Sequence, residues 1–235
     1  MISDLSARHQ AVGERITQAA LQAGRNPSSV HLLAVSKTFP PSQVQALAAL
    51  GQRDFGENYV QEGVDKIVAL KEVPGLVWHC IGPLQSNKTR LVAEHFDWVH
   101  TVDRLKIAQR LGEQRPDHLP PLQVCLQVNI DGGVTKSGVM PEEALALAQA
   151  VVAIPRLVLR GLMTIPDPGE GFDAQVALHT QAKHLFDRLQ ASLALPHFDT
   201  LSMGMSADLE AAIHAGSTIE EGTDITADQH PGQQA

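Results

Sequence analysis

Along this chain a short apolar run repeatedly ends in a polar residue, meets Gly or Pro, and gives way to a stretch of helical spacing. His31–Ser36 (HLLAVS) ends at Lys37, and Pro40-Pro41 opens a helix over about Ser42–Leu50 that Gly51 closes. Arg53–Gly56 runs into Glu57-Asn58-Tyr59 and a helix through Lys71. Val77–Ile81 leads through Gly82-Pro83 to a helix between Lys88 and about Glu94. Trp98–Thr101 precedes Asp103, a residue type suited to cap the next helix. Gln123–Ile130 is followed by an Asp-Gly-Gly loop, Thr135-Lys136-Ser137-Gly138 and a helix over Pro141–Val152. Leu157–Met163 meets the breakers Pro166-Asp167-Pro168-Gly169 before a long helix over Phe172–Leu193. Thr200–Met203 precedes a helix over Ala207–Ala215, and Ser217–Ile219 begins an eighth run.

Strands that alternate with helices build parallel sheets. Seven such units and the start of an eighth, in 235 residues, suit an α/β fold of the (β/α)8 TIM-barrel type better than an open doubly wound sheet. Ahead of them, Leu5, Val12, Ile16 and Leu21 mark an extra amphipathic helix over about Ser3–Ala23. No linker or low-complexity tract divides the chain, so residues 1–226 read as one domain. Residues 227–235 have the composition of a disordered end.

With 18 Lys and Arg against 26 Asp and Glu, the chain carries a formal charge of −8, and no basic run is present. That argues against a nucleic-acid or membrane-surface partner and for a small-molecule one. Cys80 and Cys125 stand alone without metal-ligand spacing, so no zinc site is expected and both read as packing residues. The first residues lack a signal-peptide core and nothing approaches a membrane span, which places the protein in the cytoplasm.

A barrel of this kind gathers its chemistry at the carboxyl ends of its strands. Lys37, Asn58, His79, Asn129, Met163-Thr164 and Ser202 all fall at or just past those ends, where they are expected to face one pocket. Ser202-Met203-Gly204-Met205-Ser206 adds hydroxyls, a glycine that lets backbone approach a ligand, and a helix start, which together suit an anion. A lysine facing a phosphate cradle points to pyridoxal phosphate, whose aldehyde reacts with an amine. Partial desolvation at the mouth lowers an ammonium pKa toward the neutral form that attacks. Plainer readings stand beside these: Lys37 as a solvated lysine, Ser206 as an N-cap, Ser202 and His79 as hydrogen-bonded core residues, and Tyr59 as a packing residue.

AVSKTFP, FGENYVQE, WHCIGPLQSNK, LQVNIDGGVTKSG, GLMTIP and LSMGMSADLEAAIHAGST, in that order over about residues 1–218, resemble the pyridoxal phosphate homeostasis proteins. These are single-domain relatives of the alanine racemase N-terminal barrel. The resemblance implies a barrel that holds the cofactor as a Lys37 aldimine (Schiff base) and acts as carrier or regulator of intracellular vitamin B6 rather than as a settled enzyme. It puts Asn58 near the ring, Met163 against it, Ser202, Gly204, Gly222 and Thr223 on the phosphate, and Lys88 and Lys136 in the outer pocket, while His79 joins the cofactor pocket by its place at a strand end. It further implies a monomer in transient contact with pyridoxal-phosphate-dependent apoenzymes. The enzyme alternative is a racemase or lyase of low activity. No G-x-S-x-G, G-x-G-x-x-G or Walker loop supports a different chemistry.

The ending departs from the resemblance. Where such chains continue with an apolar strand bearing an arginine toward the pyridine nitrogen, this one reads Ile219-Glu220-Glu221-Gly222-Thr223. With Gly222-Thr223 aligned to the phosphate pair, Glu220 takes the arginine's place and would favour a protonated ring. Adjacent glutamates bury one charge whichever way the strand alternates, so a weak or frayed eighth strand and reduced cofactor affinity are expected.

Overall fold

A computed structural model describes residues 2–167 and 169–222. Eight parallel strands close into a barrel in chain order, β1 beside β2 through to β8 beside β1. The strands are β1 (His31–Val35), β2 (Asp54–Glu57), β3 (Val77–Cys80), β4 (Trp98–Val102), β5 (Leu122–Gln127), β6 (Leu157–Met163), β7 (Thr200–Met205) and β8 (Ile219–Gly222). The helices are α1 (Ile2–Gln22), ahead of the first strand, then α2 (Pro41–Ala49), α3 (Val60–Ala69), α4 (Thr89–His95), α5 (Leu105–Gln114), α6 (Ala144–Val152), α7 (Phe172–Leu193) and α8 (Leu209–Ala215). Asp103 does not cap α5. Its carboxylate bonds Arg104 instead, and that helix has no side-chain cap.

Alternation along each strand separates two cores. Phe55, Trp78, Val99, Leu126, Leu162 and Leu201 pack outward under the helices. Leu33, Val35, Ile81 and Ile219 form a small apolar cluster inside the barrel. Cys80 and Cys125 are free and buried, and burial pushes the Cys80 thiol up to about 12, so it stays protonated at neutral pH.

The eighth strand corrects the sequence expectation: it is formed, not frayed. Its four residues are all buried and pair along β1, His31 with Ile219 through Ala34 with Gly222, while Ile219 also pairs with Ser202 on β7. Satisfied ladders on both edges outweigh the burial of two carboxyls, because burial also keeps those carboxyls from ionising at their ordinary pH. Glu220 points outward, where its Oε2 lies against Gly204, and neither of its oxygens has a hydrogen-bond partner. Burial holds its pKa well above the ordinary value. Glu221 points inward, and burial, opposed by the charge of Lys37, pushes it up to about 7.

Candidate functional site

The end of β1 is fixed from behind. The Ser36 hydroxyl donates to Glu57 Oε1 at 2.5 Å, and the buried Lys66 ammonium donates to that same oxygen at 2.8 Å and to the Ser36 carbonyl. Burial raises the Glu57 pKa, and Lys66 and Ser36 oppose the rise. Lys66 also pairs with Glu62 at 2.7 Å, and Glu62 accepts the Thr38 N–H at 2.5 Å. Thr38 sits at φ 66°, a conformation that a β-branched residue adopts only under constraint, at a strain of about 1–3 kcal/mol. Lys37 lies between Ser36 and Thr38. It is half-buried and makes no hydrogen bond or ion pair to any other described residue.

The loop after β7 is braced as firmly. Gly204 has φ +95°, and a Cβ there would lie 2.3 Å from Glu220 Oε2 and 2.5 Å from the Ala212 methyl. Only glycine lets β7 turn there. The Met205 N–H donates to Asp208, which also pairs with His179 at 2.8 Å. Burial raises the Asp208 pKa, but the His179 and Met205 hydrogen bonds outweigh it and hold the carboxylate below its usual range. From α1, Arg15 bonds the Ser206 carbonyl and Glu210.

Other strand ends contribute polar atoms. Asn58 Oδ1, Asn129 Oδ1 and Thr164 Oγ1 are buried without a hydrogen-bond partner. Gly82 packs against the Asn58 main chain so closely that a Cβ would come within 2.0 Å of its carbonyl oxygen. Met163 is buried at the end of β6, paired with Ser202. Unpaired buried acceptors and hydroxyls, together with an amine that no described residue hydrogen-bonds, fit a polar ligand that an amine can capture.

Three sequence expectations, on His79, Glu220 and Tyr59, come out differently. His79 does not face this mouth: its Nε2 bonds Asp54, and both line a cavity of about 460 Å³ at the opposite, amino-terminal opening of the barrel. The register explains this: His79 pairs with Trp98, the first residue of β4, two residues before the inward Ile81. Glu221, not Glu220, occupies the inward position, since β8 keeps the alternation set by Ile219 and Leu33. Tyr59 is not packed but 60% exposed at the start of α3. Lys136 is clamped by Asp131 at 2.9 Å and Asp167 at 2.8 Å, tying the loops after β5 and β6 together.

Lys88 is half-buried just before α4. Gly222 ends β8 beside Ala34; Thr223 and the tail lie outside the described residues. Sequence reasoning missed Glu57, Lys66 and Glu62, whose role depends on contacts between elements. It also missed the inward Glu221, which the alternation from Ile219 could have given.

The closed barrel, its additional first helix and a lysine at the end of β1 define a protein of the alanine racemase N-terminal type. The family described as alanine racemase, N-terminal domain, matches residues 10–226. Among curated proteins, the pyridoxal phosphate homeostasis protein of Pseudomonas aeruginosa is 56% identical over 217 residues, covering 92% of each chain. That of Escherichia coli K12 is 53% identical over 220 residues, covering 93% of each. PipY of Synechococcus elongatus, solved with pyridoxal phosphate bound, is 37% identical at a TM-score of 0.79, covering 92% of this chain and all of that one. The chain belongs to the pyridoxal phosphate homeostasis protein family.

Proposed function

We propose that this protein binds pyridoxal phosphate at the carboxyl-terminal mouth of its barrel and serves to hold and release the intracellular cofactor. The observation that carries this reading is Lys37: a half-buried amine with no hydrogen bond or ion pair among the described residues, between the pinned Ser36 and the strained Thr38. Pyridoxal phosphate would supply an aldehyde to that amine and a phosphate to the opposite wall. In this reading Asn58, Asn129 and Thr164 offer polar atoms to the ring substituents, and Met163 packs against the ring. Ser202, Gly204 and the main chain through Ser206 receive the phosphate, with Gly222 closing the cradle. Lys88 stands in the outer pocket, and Lys136 acts there by holding two loops together. Residues 1–226 work as a monomeric unit in the cytoplasm, in transient contact with apoenzymes that accept the cofactor. Among the described residues no helix is long and apolar enough to cross a membrane.

The racemase or lyase alternative has less behind it. The alanine racemase of Corynebacterium glutamicum shares 15% identity at a TM-score of 0.64, and this chain spans 63% of its length, so that likeness speaks for the fold alone.

The test is the visible spectrum of purified protein given pyridoxal phosphate. A yellow chromophore that borohydride fixes to the Lys37 peptide, and that Lys37→Ala abolishes, supports the assignment. Attachment to another lysine, or none, overturns it.

A further inference from the structure

A line of hydrogen bonds runs through the barrel interior from the amino-terminal opening to β7. Asp54 Oδ1 lies 2.9 Å from His79 Nε2, His79 Nδ1 lies 2.8 Å from His100 Nε2, and His100 Nδ1 lies 2.9 Å from Ser202 Oγ. His79, His100 and Ser202 are at most 2% exposed, whereas the Asp54 side chain is 38% exposed and borders the 460 Å³ cavity. The proposed binding site accounts for Ser202 but gives Asp54, His79 and His100 nothing to do.

Donor and acceptor rules fix the direction of this line. An aspartate carboxylate only accepts, so His79 presents Nε2–H to it. A neutral His79 then has a lone pair on Nδ1 and must receive Nε2–H from His100. The His100 Nδ1 lone pair in turn receives the Ser202 hydroxyl proton. In this state Ser202 donates inward and shows only lone pairs to anything above it. The opposite polarity, with Ser202 free to donate toward an anion, requires one more proton on the Asp54–His79 pair.

We propose that Asp54, His79 and His100 are positioning residues for Ser202, forming a one-proton polarity switch that couples the amino-terminal opening of the barrel to capture of a phosphate dianion on β7. The proposal rests on the reading of β7 as the phosphate-holding strand. Ser202 takes the proton of an incoming phosphate monoanion as it passes its own to His100 Nδ1. His100 Nε2–H passes to His79 Nδ1, and His79 Nε2–H passes to Asp54. The line is left reversed, Asp54 is neutral, and Ser202 donates to a dianion; only O–H and N–H bonds have changed. A ligand that arrives as dianion draws the same proton from solvent through Asp54.

The surroundings are consistent with these states. Burial, and then the charge of His79, hold the His100 pKa well below its ordinary value, so His100 stays neutral in either polarity. Around His79 stand Asp54 from β2, His100 and Trp98 from β4, and Asp97 just before β4. His31 and the ion-paired Arg160 and Asp199 line the same opening. Asp54 is the carboxylate in direct contact with the His79 ring.

Two measurements test this. In 15N-histidine spectra of the protein without ligand at pH 7.5, His79 and His100 are expected as neutral Nε2–H tautomers; a His100 Nδ1–H tautomer overturns the polarity. In calorimetry with pyridoxine 5′-phosphate, which has an alcohol in place of the aldehyde and cannot react with Lys37, wild type is expected to take up one more proton than Asp54→Asn between pH 7 and 8.5. Wild-type affinity should then fall by up to about tenfold per pH unit relative to the variant. The side-chain amide that Asp54→Asn introduces can donate to His79 Nε2, so the variant reaches the donating polarity without that proton. Equal proton uptake in both proteins overturns the coupling. If Asp54→Asn fails to fold, Ser202→Ala, which cuts the line at its other end, is expected to lose the same proton. If neither protein binds pyridoxine 5′-phosphate, the functional reading falls and the coupling with it, while the tautomer spectrum still decides the polarity.

Discussion

The Glu221 carboxyl lies within the electrostatic reach of the Lys37 ammonium, on the inward face of the strand that closes the barrel. Burial sets it at about 7, against an ordinary value of 4.5. In the folded protein it therefore keeps a proton that the unfolded chain gives up, and the folded state binds more protons between those two values. Stability falls as pH rises through that window. Glu221→Gln is expected to flatten the slope of unfolding free energy between about pH 4.5 and 7, read by urea titrations across that range. An unchanged slope would show that Glu221 is solvated.

Glu220 faces the helix layer with both oxygens unpaired. An unsatisfied buried polar group costs about 1–3 kcal/mol, and a branched apolar residue suits the outward face of a parallel strand. Glu220→Val should therefore raise stability at pH 7.5 by about that amount, read as a higher urea midpoint at unchanged slope. A lower midpoint would count against it.

Lys66 compensates Glu57 behind the carboxyl-terminal mouth, with side chains 4% and 0% exposed. Removing one partner of a buried pair leaves the other uncompensated, at about 3–5 kcal/mol. Lys66→Met should lose stability on that scale, and the double variant Lys66→Met with Glu57→Gln should regain most of it. Additive losses would show the two residues to be independent.

Thr38 holds a positive φ next to Lys37. Thr38→Gly should release the strain and raise the thermal midpoint by a few degrees, while the fraction of Lys37 trapped by borohydride with pyridoxal phosphate falls. A raised midpoint with full trapping would separate the strain from the positioning of Lys37.

The first seven strands were legible because each is a short apolar run closed by Gly, Pro or a polar residue, and the positions of Lys37 and Asn58 just past β1 and β2 follow from that rule. His79 was misplaced because the same rule sees only proximity to a strand end. Which opening a side chain leans toward depends on the stagger of neighbouring strands, and Asp54 and His100 come from two of those. The eighth strand was misjudged because two adjacent glutamates read as a burial penalty, when the pairing with β1 and β7 that offsets it lies far away in sequence. The Glu57–Lys66–Glu62 brace joins β2 to α3 and turns on side chains whose spacing resembles ordinary surface charge.

The helix ahead of the eightfold alternation has a further consequence through Arg15. Its guanidinium grips the Ser206 carbonyl and Glu210, so a helix that adds no strand to the barrel acts as a strap across the far lip of the mouth. Loosening that one guanidinium, rather than the helix whose Val12, Ile16 and Ala20 are buried in the core, would unbuckle the lip while every stave stayed in place.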